Sequence, residues 1–319
     1  MFGFIIGSKG GVYCMIINPI GNNFAYKAIS SSIKEAEEKK SHFGKSIGAL
    51  AVGYFAKEIA SFPASIKPMS KLRAMSDTLN EDEVKLVKET AEKIITDTGL
   101  REKGVHTKYW AYNKPKNLLD VFKFLSPIGQ VELGVNAAFS PVAISIPDVD
   151  NPKQKIKILE KNSINMPEKR LAASVFHEIG HAHNYNLTKW GKFCQSPVIR
   201  VCTLASTVLL PVLVAFSSKR EAKPGEELSK KDKLHNTLRD NAYLLPIVAG
   251  IPTAIEEAAA SFKGEKLAKD LLPENVLKVV KKSNRYGLTT YLATPFVLAG
   301  GIYLAKFVKD KFTASKKSE

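Results

Sequence analysis

Three long uncharged stretches limit what this chain can fold into. Eighteen residues without a charge lie between Arg200 and Lys219, 15 between Asp240 and Glu256, and 20 between Arg285 and Lys306. A helix needs about 20 mostly apolar residues to cross a bilayer, within a range of about 17–25. The last stretch meets that length, the first meets it marginally, and the middle one only with flanking residues. A set of buried core helices is the alternative. Internal prolines do not decide between them, because membrane helices tolerate proline when neighbours satisfy the freed carbonyl. The expectation is an apolar, transmembrane helical hairpin over residues 193–255, with a last apolar span and a basic tail within 256–319.

Just before the first stretch stands His177-Glu178-Ile179-Gly180-His181, an HExxH pattern. Leu171, Val175 and Ile179 are spaced four apart, and Pro167 suits a first helical turn, so a helix is expected from Pro167 onward. Residues i and i+4 share a helix face, so both imidazoles can reach one metal at about 2.0–2.1 Å. Glu178 would stand beside that metal, placed to take a proton from its bound water. Ile179 would face the core, and Gly180 would let a neighbouring element approach. A zinc ion (Zn2+) is the implied cofactor, because its catalytic sites combine histidine and carboxylate with an open position.

Upstream, Asn80 caps a helix with Glu83 at the capping-box position and Val84, Val87, Ala91 and Ile94 at helical spacing, until Gly99 stops it. Val105–Trp110 and Asn136–Ile146 read as strands, the second at a sheet edge or bulge because Pro141 cannot donate to a ladder. Residues 1–42 read as an extension broken by glycine and proline, without a secretory signal. Ser46–Ala56 reads as a buried or interfacial helix, and 43–192 as a helical segment followed by the core that carries HExxH.

Two histidines need a third ligand. Position 187 is Leu, so HExxHxxGxxH fails, and a downstream glutamate is the other solution. The candidates are Glu221, Glu226, Glu227, Glu256, Glu257 and Glu265. The first three lie in a charged loop at the far end of the expected hairpin, whereas Glu256 and Glu257 lie where it returns. Neighbours on a helix diverge by about 100°, so only one of these two would face the metal, leaving the other towards solvent or the membrane interface.

HEIGHAHN, two apolar spans and then EEAAASFKG resemble the membrane-integrated gluzincin zinc metallopeptidases related to the HtpX heat-shock protease and the prenyl-protein proteases; YugP-like zinc peptidases are also similar. GVNAAFSPVAISIP resembles the N-A-F strand before their zinc helix. The resemblance runs from Asn80 to Lys269. It implies a mostly α fold with a small β-sheet, an α+β core whose zinc helix packs on a sheet edge, and the membrane hairpin inserted before the third-ligand helix. By the ExxAS spacing it implies Glu257 as third ligand and Ser261 as a partner orienting a histidine, where many relatives carry Asp. It further implies metalloendopeptidase activity on peptide or protein substrates, membrane proteins among them, with Glu178 as general base. The catalytic face would be cytoplasmic, on the inner membrane. Arg285 and Tyr286 are candidate oxyanion partners, by closeness to a membrane boundary.

The balance of 47 Lys+Arg against 31 Asp+Glu gives a net charge of +16, which suits anionic lipid or nucleic acid. Neither a basic helix with interleaved aromatics nor zinc-finger spacing is present, so nucleic acid is not expected as a partner. Cys14, Cys194 and Cys202 match no CxxC spacing, which disfavours a disulfide framework or a cysteine zinc site. A non-catalytic zinc-fold membrane scaffold, or a chaperone-like protein, is the rival reading. Glu178 argues against it, because structural zinc has no need of a base.

Overall fold

The computed structural model describes residues 2–6, 12–16, 67–114, 127–147, 155–168, 171–222 and 225–315. The helix expected over Ser46–Ala56 lies outside them. In chain order the elements are β1 (Phe2–Ile6), β2 (Val12–Ile16), α1 (67–76), α2 (Glu81–Asp97), β3 (His106–Trp110), α3 (Pro127–Glu132), β4 (Ala138–Ser140), β5 (Ile144–Pro147), β6 (Lys155–Leu159) and β7 (Ser163–Pro167). Then follow α4 (Val175–Leu187), α5 (Lys189–Cys194), α6 (Pro197–Leu204), α7 (Leu210–Phe216), α8 (Lys230–Asp240), α9 (Leu245–Ala268) and α10 (Glu274–Ser315). The fold is mostly helical with a small mixed sheet, an α+β arrangement.

That sheet has the order β3-β7-β4, with β3 parallel and β4 antiparallel to β7. Helices α2 and α4 cover it, and α4 packs on β4, the edge strand, and on β7. Val87, Ala91, Ile94 and Ile95 of α2 meet Val175, Phe176 and Ile179 of α4 in one core with Phe139, Ile164 and Met166 of the sheet. Burying each of these side chains larger than alanine contributes about 1.5–3 kcal/mol, which is what holds helix to sheet. Asn80 caps α2: its Oδ1 accepts the Glu83 N–H at 2.9 Å while Glu83 Oε2 accepts the Asn80 N–H at 3.0 Å. Asn275, at the start of α10, donates to Glu83 Oε1 at 2.7 Å and ties the two helix starts together.

Several expectations need correction. Pro167 ends strand β7 rather than starting a helix; α4 begins at Val175 after a 3-10 turn over Ala172–Ser174, entered through Leu171 at φ 61°. A non-glycine residue in that left-handed region is strained by about 1–3 kcal/mol, which the full burial of the Leu171 side chain offsets. The strand expected over Asn136–Ile146 is two strands, β4 and β5, interrupted at Pro141, where Ser140 Oγ donates to the Val142 carbonyl at 2.7 Å. Within the extension 1–42, β1 and β2 pair as an antiparallel hairpin, and its remainder lies outside the described residues. The charged loop between apolar stretches contains helix α8, capped by Ser229, whose Oγ accepts the Asp232 N–H.

The chain forms two compact units. Of the described residues, one unit holds β1 and β2, those within Lys67–Ile199, and Ala254–Thr290; the other holds those within Arg200–Thr253 and 291–315. The second arm of the expected hairpin is no separate helix: α9 runs unbroken from Leu245, through Pro252 and the two glutamates, to Ala268. The first arm is divided among α6, a π turn over Ala205–Leu209, and α7. Among the described residues, two segments are long and apolar enough to cross a membrane, Ala242–Ala268 and Glu274–Lys311. Within the second unit, Arg239 is buried; it donates to the Ser217 carbonyl at 2.9 Å and pairs with Asp240 and Asp310.

Candidate metal centre

Two antiparallel helices carry the site, and small residues bring them together. A Cβ on Gly180 would overlap the Ala260 carbonyl, and one on Gly264 would overlap the Phe176 carbonyl. Phe176 and Gly180 rise along α4 as Gly264 and Ala260 descend along α9. The same register sets His177 against Ser261 and His181 against Glu257.

His177, His181 and Glu257 are buried and offer donor atoms towards one another. The two imidazole Nε2 atoms are 2.9 Å apart, and each lies 3.2 Å from Glu257 Oε2. Tetrahedral zinc with bonds of about 2.0–2.1 Å spaces its ligand atoms about 3.3 Å apart, so the donor set suits an ion of that size. The protonation pattern points the same way. His181 Nδ1 lies 2.9 Å from Glu256 Oε1, a carboxylate oxygen that accepts, so the ring proton belongs on Nδ1 and Nε2 keeps its lone pair. His177 Nδ1 meets the Ser261 hydroxyl at 3.0 Å; that hydroxyl can accept the ring proton, and when it does Nε2 is free for the centre. Three electron-pair donors then converge in a buried space and call for a positive charge. Without a metal a proton answers that demand: burial opposes charge on His181, but the Glu257 and Glu256 carboxylates outweigh it and hold its imidazole well above the ordinary histidine range, so a metal binding at Nε2 would displace a proton.

Glu256 overturns an expectation. It does not face solvent: it is buried, bound to His181 Nδ1, and accepts from Gln195 Nε2 at 2.7 Å. Glu256 and Glu257 do diverge around α9, but the His181 ring lies between them and meets one carboxylate at each nitrogen. Gln195 was not singled out in the sequence; its usable signals were Thr188, which caps α5, and Gly191, whose missing Cβ lets α5 turn back against Asn184.

Glu178, on the same face of α4, is buried and accepts the Phe139 N–H at 2.6 Å through Oε2. Phe139 lies on edge strand β4, and its N–H is turned to Glu178 rather than to the β7 ladder. Arg285 is exposed near Glu265, and Lys71 lies over the Tyr286 ring. No hydrogen bond or ion pair among the described residues joins either to the three donors. His183 turns away from them, its pKa lowered to about 4 by burial and by Lys263. His106 pairs with Glu160 at 3.4 Å.

No known protein family, curated protein or solved structure matches the chain.

Proposed function

We propose that this protein is a membrane-associated zinc metallopeptidase of the gluzincin type, hydrolysing peptide bonds with a metal-activated water. The observation that carries the reading is the convergence of His177 Nε2, His181 Nε2 and Glu257 Oε2, with Glu178, the residue after His177, buried and held by the Phe139 N–H rather than by those donors. Three protein ligands leave a fourth position open, the arrangement of catalytic rather than structural zinc. Bound there, zinc would supply Lewis acidity and lower the pKa of its water towards about 7.

The rest of the chemistry falls to the chain's own groups. The Phe139 N–H engages Glu178 Oε2, so the carboxylate cannot swing away and Oε1 is left to accept the proton of the attacking water. The same carboxylate then returns that proton to the leaving amine, the ordinary double duty of a general base. Burial of all four side chains keeps bulk water from competing for the donors.

Membrane association rests on the segments Ala242–Ala268 and Glu274–Lys311, with Tyr291, Leu292, Phe296, Tyr303, Leu304 and Phe307 exposed along the second. Exposed apolar residues at that density suit lipid better than water. Metal analysis and casein cleavage by the detergent-purified protein, wild type and Glu178→Gln, test the reading. Zinc in both proteins and cleavage by wild type alone is the expected result; a wild type without bound zinc would overturn it.

A further inference from the structure

The two imidazole arms of the centre are not equivalent. His177 is backed by a hydroxyl, Ser261 Oγ at 3.0 Å, whereas His181 is backed by a carboxylate, Glu256 Oε1 at 2.9 Å. A carboxylate accepting the Nδ1 proton pushes electron density towards Nε2 and fixes the ring's rotation more strongly than a neutral hydroxyl does. Behind Glu256 stands Gln195, only 1% exposed, whose Nε2 donates both to Glu256 Oε1 at 2.7 Å and to the His181 carbonyl at 3.0 Å. Both partners are acceptors, so the amide has one sensible orientation. One side chain thereby locks the backbone of His181 and the carboxylate behind its ring.

Resting on the metal-centre reading above, we propose that Glu256 is a positioning residue that makes His181 the dominant imidazole arm of the centre, and that Gln195 holds Glu256 in that role. The local chain is built for it. Thr188 ends α4 and caps α5 by accepting the Gly191 N–H at 2.9 Å. Gly191 then packs where a Cβ would overlap Asn184. This tight return brings Gln195 back beneath His181, one buried polar residue at the end of a short helix otherwise studded with the exposed side chains of Trp190 and Phe193. A residue placed only for packing would not be a glutamine with both amide hydrogens directed at acceptors of the site.

The test is metal affinity, not turnover. Full-length protein in detergent is stripped of metal and titrated with Zn2+ against a chromophoric chelator, and separately with Co2+ to record the d–d absorption bands. Glu256→Gln should weaken zinc about 10–100-fold and shift the cobalt bands, the range expected when a group behind a metal ligand is lost. Glu256→Asp should recover part of the affinity, and Ser261→Ala should cost less than Glu256→Gln. If Glu256→Gln does not fold, Gln195→Met carries the test, with a several-fold weakening expected. Wild-type affinity and an unchanged cobalt spectrum in Glu256→Gln, or in Gln195→Met where that variant must serve, would overturn the inference alone; so would a larger loss in Ser261→Ala. Failure of the wild type to bind either ion would overturn the metal-centre reading, and this inference with it.

Discussion

Phe139 and Glu178, 39 positions apart in the chain, are joined by a 2.6 Å hydrogen bond from a strand N–H to a helix carboxylate. The bond orients Glu178 without tying it to the three metal donors, so base and ligands can be separated by mutation. Glu178→Gln keeps the shape of the side chain and loses its basicity. It should retain zinc and lose cleavage by about 10²–10⁴-fold, the span usual for a positioned general base. Cleavage at the wild-type rate would remove Glu178 from the chemistry.

Gly180 should be irreplaceable for a reason separate from catalysis. Its missing Cβ is what lets the Ala260 carbonyl approach, and α9 carries Glu257. Gly180→Ala should force the helices apart, costing about 1–3 kcal/mol as overpacking usually does, and it should weaken zinc in the same step. Thermal unfolding of the metal-free protein reads the first effect, and zinc titration the second. A variant as stable and as zinc-avid as the wild type would mean that α4 and α9 do not pack through this pair.

Much of this centre was legible in the chain, and the exceptions have physical causes. His177, His181 and Glu178 could be placed because helical spacing fixes which residues share a face. The Asn80 cap carries its signature in residue types, and so does the Ser229–Asp232 cap of α8, which lay unnoticed within a charged stretch. Glu256 was misplaced because backbone angles alone ignore the width of an imidazole ring, which meets both glutamates from opposite sides. The Phe139 N–H could not be foreseen, since every residue but proline offers that donor and only tertiary packing selects one. Pro167 suits the first turn of a helix and the last position of a strand alike; pairing with Trp110 in the parallel ladder decided for the strand.

After cell lysis the protein should sediment with membranes, resist extraction by carbonate or high salt, and dissolve in detergent. The segment Glu274–Lys311 is 38 residues long, beyond the length a bilayer requires, and it leaves large apolar side chains exposed. Its rival is attachment through the net charge of +16. Charge contacts with anionic lipid are screened within about 8–10 Å at ordinary salt and weaken as salt rises. Release by salt alone would therefore assign the contact to charge, and release by carbonate without detergent would exclude a span.

Metal removal should lower the melting temperature of the wild type and leave that of a ligand variant unchanged. The donor atoms of His177, His181 and Glu257 come from α4 and α9, helices far apart in sequence, so folding alone brings them within 3.2 Å of one another. An ion that binds only the folded state stabilises it by RT ln(1 + [L]/Kd), about 2.7 kcal/mol when free metal is 100 times Kd. Thermal unfolding with zinc and then with excess chelator measures that difference. His177→Ala, which removes one donor, should melt at the same temperature under both conditions, and Glu257→Ala should behave likewise. A chelator effect of wild-type size in either variant would show that the stabilising ion sits elsewhere on the protein. No chelator effect in the wild type, with zinc at a large excess over its Kd, would mean that the three donors do not act on a common ion.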